Sequence, residues 1–154
     1  MTCLFELSIA LLITLLNGFF VMAEYSLVRI RKSRLDELIR QGKSRANTVL
    51  KMSEKLDTYL SATQLGITAS SLLLGWFGGP LLAEMFRGMF GVSAGTWYDH
   101  SLVFACAFLI IVFLHVVFGE LVPRTIALGK VEQVAMAVAY PLVFFHYLLY
   151  PLVV

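Results

Sequence analysis

Residues 102–123 read LVFACAFLIIVFLHVVFGELVP: an apolar run that closes on Gly119-Glu120-Leu121-Val122-Pro123. Leu102 to Phe118 has the character of a membrane span. A carboxylate at its end, beside two residues that disrupt helices, is expensive. Charged side chains at the bilayer centre cost roughly 2.5–3.5 kcal/mol on insertion scales. Such a residue marks a functional site, and a helix broken there would expose backbone carbonyls to an ion. A second acid, Glu24, sits deep in the first apolar run. Two intramembrane carboxylates and a broken helix point to cation handling. The plainer reading is that Glu120 only marks the cytoplasmic end of the span.

The rest of the chain agrees with a membrane setting. It is 59% hydrophobic and 14% charged, with a mean hydropathy of +0.83. Soluble domains are about 25% charged, so the expected class is an all-α integral membrane protein. Few residues remain for a soluble module, and no HExxH, GxSxG, Walker or Cys-His pattern suggests an enzyme. The net charge is +2, and nine of the twelve Lys and Arg lie between Arg29 and Lys55. By the positive-inside rule that segment is cytoplasmic and the N-terminus is outside. Its position between apolar runs argues against nucleic acid as a partner. Cys3 and Cys106 lie in apolar sequence without metal spacing and read as small packing residues. Met1 to Leu16 lacks a basic leader and carries Glu6, so it reads as part of a span rather than a cleaved signal.

Three spans are expected: Leu4–Val28, Thr58–Trp76 and Ser101–Phe118. Gly75, Gly78, Gly79 and Pro80 should end the second, leaving Leu81–Phe90 as a short outer helix. Gly91–His100 reads as an outer loop, with Trp97 and Tyr98 suited to an aromatic belt. Between spans one and two, Arg31–Lys55 reads as an amphipathic helical hairpin turning at Gln41-Gly42-Lys43. Leu35, Leu38 and Ile39 share one apolar face, and Val49, Leu50 and Met52 recur later. The hairpin is either solvated or laid on anionic lipid through Arg29, Arg31, Lys32 and Arg34, and the two are compatible. Pro141 and Pro151 favour Ala137–Val154 as a juxtamembrane helix over a fourth span. Gly66, Ala69, Ser70 and Gly75 offer a close-packing surface for a homodimer through spans two and three.

The polar residues of the spans are patterned. Ser61, Gln64, Thr68 and Ser71 fall on one face of span two, and Asn17 and Glu24 on one face of span one. Ser26 joins the latter face only if the helix unwinds. A Mg²⁺ ion wants about six oxygens from carboxylates, carbonyls and water. Glu24, Thr68, Ser71, Glu120 and a freed carbonyl at Gly119 form a candidate set. Interhelical hydrogen bonding is the other use for the span-two stripe. His115, one turn before Gly119, is an accessory candidate as a ligand or proton relay, or simply a packed residue. His100 and His146 read as interfacial.

Three motifs resemble one family. Leu16-Asn17-Gly18-Phe19-Phe20-Val21-Met22-Ala23-Glu24 with Arg29-Ile30-Arg31-Lys32-Ser33-Arg34 looks like the first span of the CorC/CNNM (cyclin-M) family. Leu60–Thr68 with Leu74-Gly75-Trp76 resembles the second. Phe118-Gly119-Glu120-Leu121-Val122-Pro123-Arg124 resembles the family signature G-E-x-x-P-[KR]. The likeness covers nearly the whole chain, in the family's order. It implies a homodimeric magnesium transporter or exporter, proposed to couple to Na⁺, in a bacterial inner membrane. Members usually continue into cytosolic CBS domains, so residues 1–154 are expected to be the transmembrane domain of a longer protein. The chain departs from the pattern at Val21, where many members carry Ser. It departs again at Gly66-Ile67-Thr68-Ala69-Ser70-Ser71, which stands for Gly-Asn-x-x-x-Asn. Ser71 thereby occupies the second Asn position, as in the branch historically labelled haemolysin-like. Two other functions stay open: a non-transporting membrane regulator or scaffold, and a haemolysin-like membrane protein.

Overall fold

The computed structural model describes the backbone of residues 2–90 and 97–153, and side chains at 5, 7–78, 105–106 and 108–148. The expectations for the 91–96 loop, and for the side chains of Cys3, Trp97, Tyr98 and His100, lie outside these residues. All regular structure described is helical.

Helix α1 (Thr2–Arg29) is one uninterrupted helix rich in Leu, Ile, Phe and Ala, and it ends at the first arginine. The short helical pair α2 (Lys32–Arg40) and α3 (Ser44–Glu54) follows. Gly42 joins them at φ +82. The Gly42 amide donates to Ile39 O and the Lys43 amide to Leu38 O, at 2.9 and 3.1 Å. That pairing closes α2 as a Schellman turn, and only glycine adopts the required backbone cheaply. The expected turn is therefore present. Its helices bury Leu35, Leu38, Ala46, Val49 and Met52.

Helix α4 (Leu56–Phe90) does not end at Gly75–Pro80 as the sequence suggests; it runs 35 residues without interruption. Glycine and proline are tolerated in membrane helices when neighbours satisfy the backbone. Gly78 is also a packing position, because a Cβ there would lie 3.1 Å from Ile111 Cδ1. Helix α5 (Trp97–Leu114) then passes into a π-helical segment, His115–Leu121, and on into α6 (Val122–Gly129). Helix α7 (Val131–Val153) completes the chain.

Side-chain neighbours fix the directions of these helices. Ile13 packs with Leu74 and Ile111, and Asn17 bonds to Gly119. Glu24 lies beside Gln64 in one cavity, and Arg124 stacks on Tyr25. Helix α4 is thus antiparallel to α1, and the α5–π–α6 rod is parallel to it.

Among the described residues, three stretches are long and apolar enough to cross a membrane: Leu7–Arg29, Phe108–Gly129 and Val131–Leu148. The second runs past Phe118, so Glu120 lies inside an apolar stretch rather than at its end. The polar stripe makes α4 less apolar than these. Helix α7 has a span's length but runs obliquely. Glu132 meets Arg34 at the hairpin, and Phe145 reaches Phe19 and Phe20.

The main core joins the C-terminal half of α1, the hairpin and α7 through Leu27, Leu38, Val49, Met52, Val138 and Leu142. The apolar face of the hairpin is therefore covered by protein, not by lipid or water. His146, expected at an interface, is buried with its ring 4.4 Å from that of Tyr59. Cys106, expected to pack inside, is exposed and unpaired.

Candidate functional site

The signature Gly119–Pro123 shapes the site through one missing hydrogen-bond donor. In an α-helix the residue-123 amide would bond to the carbonyl of Gly119, but proline has no N–H and its ring crowds that carbonyl. The chain answers by widening, not breaking: residues 115–121 take π-helical pairing, a form that recurs at functional sites. The expected unwound helix end is absent. Gly119 O instead accepts a hydrogen bond from Asn17 Nδ2 at 2.8 Å. Glycine is needed here for space. A Cβ at 119 would lie 3.0 Å from His115 Nδ1 and 3.1 Å from Asn17 Nδ2. Gly18 does the same on α1, where a Cβ would stand 2.9 Å from Pro123 Cγ.

Between α1, α4 and the π segment lies a cavity of about 450 Å³. Asn17, Glu24, Gln64, Thr68, Ser71, His115 and Glu120 line it. Both intramembrane acids and most of the span-two stripe therefore meet in one place. Glu24 lies beside the Gln64 side chain and feels the charge of Glu120. Gln64, Thr68 and Glu120 are exposed, so the cavity opens on that side of the chain.

The hydroxyls of the stripe are mostly not spent between helices. Thr68 Oγ1 donates to Gln64 O and Ser71 Oγ to Ile67 O, each at 2.9 Å and each within α4. That pattern uses the proton and leaves oxygen lone pairs turned outward. Ser71 alone also reaches across, 3.1 Å from His115 Nε2. With its proton on Ile67 O, Ser71 accepts from Nε2–H, which leaves Nδ1 as a lone pair. His115 Nδ1 and Asn17 Oδ1 are buried without a hydrogen-bond partner among the described residues. Two buried acceptors in a polar cavity suit a cation or water.

Other predicted residues fall elsewhere. Ser26 is buried away from the cavity and donates to Ala23 O at 3.2 Å, because α1 stays helical there. Ser61 donates to Asp57 O below the cavity. Gly66 and Ser70, expected at a dimer surface, are buried within the chain; a Cβ on Gly66 would stand 2.6 Å from the Phe20 ring. Arg29, Arg31, Lys32 and Arg34 are exposed at the end of α1 and the start of α2. Val21, Tyr25 and Ile67 complete the cavity lining. The period Asn17, Val21, Tyr25 would have found Tyr25. Its ring also holds Arg124, whose guanidinium carbon stands 4.6 Å from the centroid. Among the described residues no three His, Cys, Asp or Glu converge as a metal cluster. Two carboxylates with neutral oxygens match a cation that keeps part of its water shell, as Mg²⁺ does.

Comparison with known proteins gives the same pattern. Residues 7–154 match the cyclin-M transmembrane N-terminal domain. UPF0053 protein YugS of Bacillus subtilis is 41% identical over 139 residues, 90% of this chain and 32% of that protein. UPF0053 protein YhdP of the same organism is 42% identical over 146 residues, 94% of this chain and 33% of that protein. Uncharacterized protein Rv1841c of Mycobacterium tuberculosis is 41% identical over 133 residues, 86% of this chain and 38% of that protein. The chain spans about a third of the length of these curated relatives. It belongs to the CNNM (cyclin-M) family of membrane domains.

Proposed function

We propose that this domain carries divalent cations, Mg²⁺ foremost, across the membrane, most directly outward. The family is generally associated with such transport. The observation that carries the reading is the shared cavity of Glu24, Glu120, Thr68 and Ser71. Two carboxylates in a low-dielectric span repel each other, and a divalent ion removes that penalty. Glu24 and Glu120 supply charge; Thr68 and Ser71 supply neutral oxygens. Gly119 O keeps a second lone pair beyond the one used by Asn17. Asn17, Gln64 and His115 line the same cavity beside the set.

The proposed mechanism is alternating access in a homodimer, with Na⁺ as coupling ion, in a bacterial inner membrane. The basic hairpin is cytoplasmic and the N-terminus outside. CBS domains are the expected cytosolic partners in the full-length protein. The scaffold alternative needs the polar stripe for packing, and the self-satisfied hydroxyls of α4 weigh against it.

The test is Mg²⁺ flux in proteoliposomes containing the wild type or Glu120→Gln, each checked for folding. Folded protein that moves no Mg²⁺, or unchanged flux in the variant, would refute this reading.

A further inference from the structure

A second polar feature lies away from the cation cavity, at the cytoplasmic boundary. The three apolar stretches meet the water there: one ends at Arg29, one ends at Gly129 and one begins at Val131. Where α1, α2 and α7 converge at that level, a cleft of about 170 Å³ is lined by Arg29, Arg31, Arg34 and Glu132 with backbone between them. Three arginines and one carboxylate thus line the same cleft. Arg34 already has partners, Glu132 at 2.6 Å and Glu37. Arg29 and Arg31 are exposed and have no ion pair among the described residues. Two unpaired guanidiniums at the end of a membrane span want an anion, and arginine's planar fork fits phosphate oxygens bidentately.

From this geometry we propose that the cleft binds the phosphate of an anionic phospholipid of the cytoplasmic leaflet. Depth argues for a lipid over a soluble anion: the cleft opens at the level where the apolar stretches stop, which is where lipid phosphates lie. The acyl chains would then run beside the exposed apolar flank of the bundle, where Val28 is 59% and Ile126 46% exposed. Glu132 sets the orientation. By holding Arg34 it keeps the far wall neutral and leaves Arg29 and Arg31 to take the charge. The site joins the end of α1 to the start of α7, so an occupied cleft ties the span to the hairpin that packs on α7.

The test uses the purified full chain in neutral detergent with short-chain phosphatidylglycerol, phosphatidylcholine and inorganic phosphate as separate probes. Native mass spectrometry and thermal stability give the readouts. The expected result is a saturable phosphatidylglycerol complex with a raised melting temperature. Arg29→Gln/Arg31→Gln should weaken it roughly thirtyfold, from two basic residues at a lipid surface. A pair of the same charge change away from the cleft, Arg40→Gln/Lys51→Gln, should not. Arg29→Lys/Arg31→Lys, which keeps charge but loses the fork, should fall between and guards against misfolding of the Gln pair. Equal retention of phosphatidylcholine, or equal loss in the distant pair, would overturn the proposal. Stabilisation by inorganic phosphate alone at similar concentration would assign the cleft to a free anion and overturn the lipid assignment.

Discussion

Glu120 and Ser71 contribute unlike chemistry to the same cavity, and their variants should separate. A ligand bound only by the folded state stabilises it by mass action. Mg²⁺ should therefore raise the melting temperature of the wild type. Glu120→Ala should remove most of that shift, and Ser71→Ala a smaller part, because a neutral oxygen is replaced more easily by water. Acidification should weaken the Mg²⁺ effect, since protons compete with the ion for the carboxylates. Wild-type Mg²⁺ stabilisation in both Glu24→Gln and Glu120→Gln would place the site elsewhere. Gly119 makes a separate prediction. A methyl group there must displace His115 or Asn17, which stand 3.0 and 3.1 Å away. Gly119→Ala should lower stability by about 1–3 kcal/mol, the cost of leaving a buried polar group unpaired. Asn17→Ala should cost a similar amount by exposing the same carbonyl to no donor. A denaturation series in which both variants match the wild type would contradict this account.

Among elements, the π segment carries the most consequence. It exists because Pro123 cannot donate to Gly119. Pro123→Ala returns the donor, and ordinary α-helical pairing should then compete for Gly119 O with Asn17. Closing the bulge shifts residues 115–121 by one position in helical phase, about 100°. Glu120 would turn off the cavity. The expected outcome is a variant at least as stable as the wild type that has lost its Mg²⁺-dependent melting shift. A destabilised variant with an intact Mg²⁺ response would show that the proline serves packing against Gly18 alone. The hairpin teaches a different lesson. Its sequence is amphipathic, but its apolar face found α7 rather than the bilayer. Arg45 over the Tyr140 ring at 5.5 Å and Arg34 on Glu132 pin it at both ends.

At the scale of the whole molecule, the charge asymmetry sets the topology prediction. A cysteine placed at exposed Lys43 should resist impermeant thiol reagents added outside intact cells, with Cys3 and Cys106 both replaced to silence them. Outside labelling would invert the orientation. The dimer prediction rests on α4 and α5, where Thr68, Leu72, Trp76 and Phe113 are exposed beside the mouth of the cavity. A dimeric mass is expected in detergent and in nanodiscs; a monomer in both would rule it out. Composition and period alone determined that the chain is an all-α membrane domain, that Arg29–Lys55 forms a hairpin turning at Gly42, that Thr68 and Ser71 share a helix face, and that Glu24 and Glu120 are acids set in apolar runs. Hydropathy and helical phase are local properties, so they can be read residue by residue. Tertiary structure decided the rest. Whether Gly75–Pro80 breaks α4 depends on what packs against it. Whether Gly66 faces a partner or Phe20 depends on the neighbouring helix. Whether the proline signature unwinds a helix or widens it was settled by a donor 102 residues away, since a freed carbonyl takes whatever partner the fold brings to it.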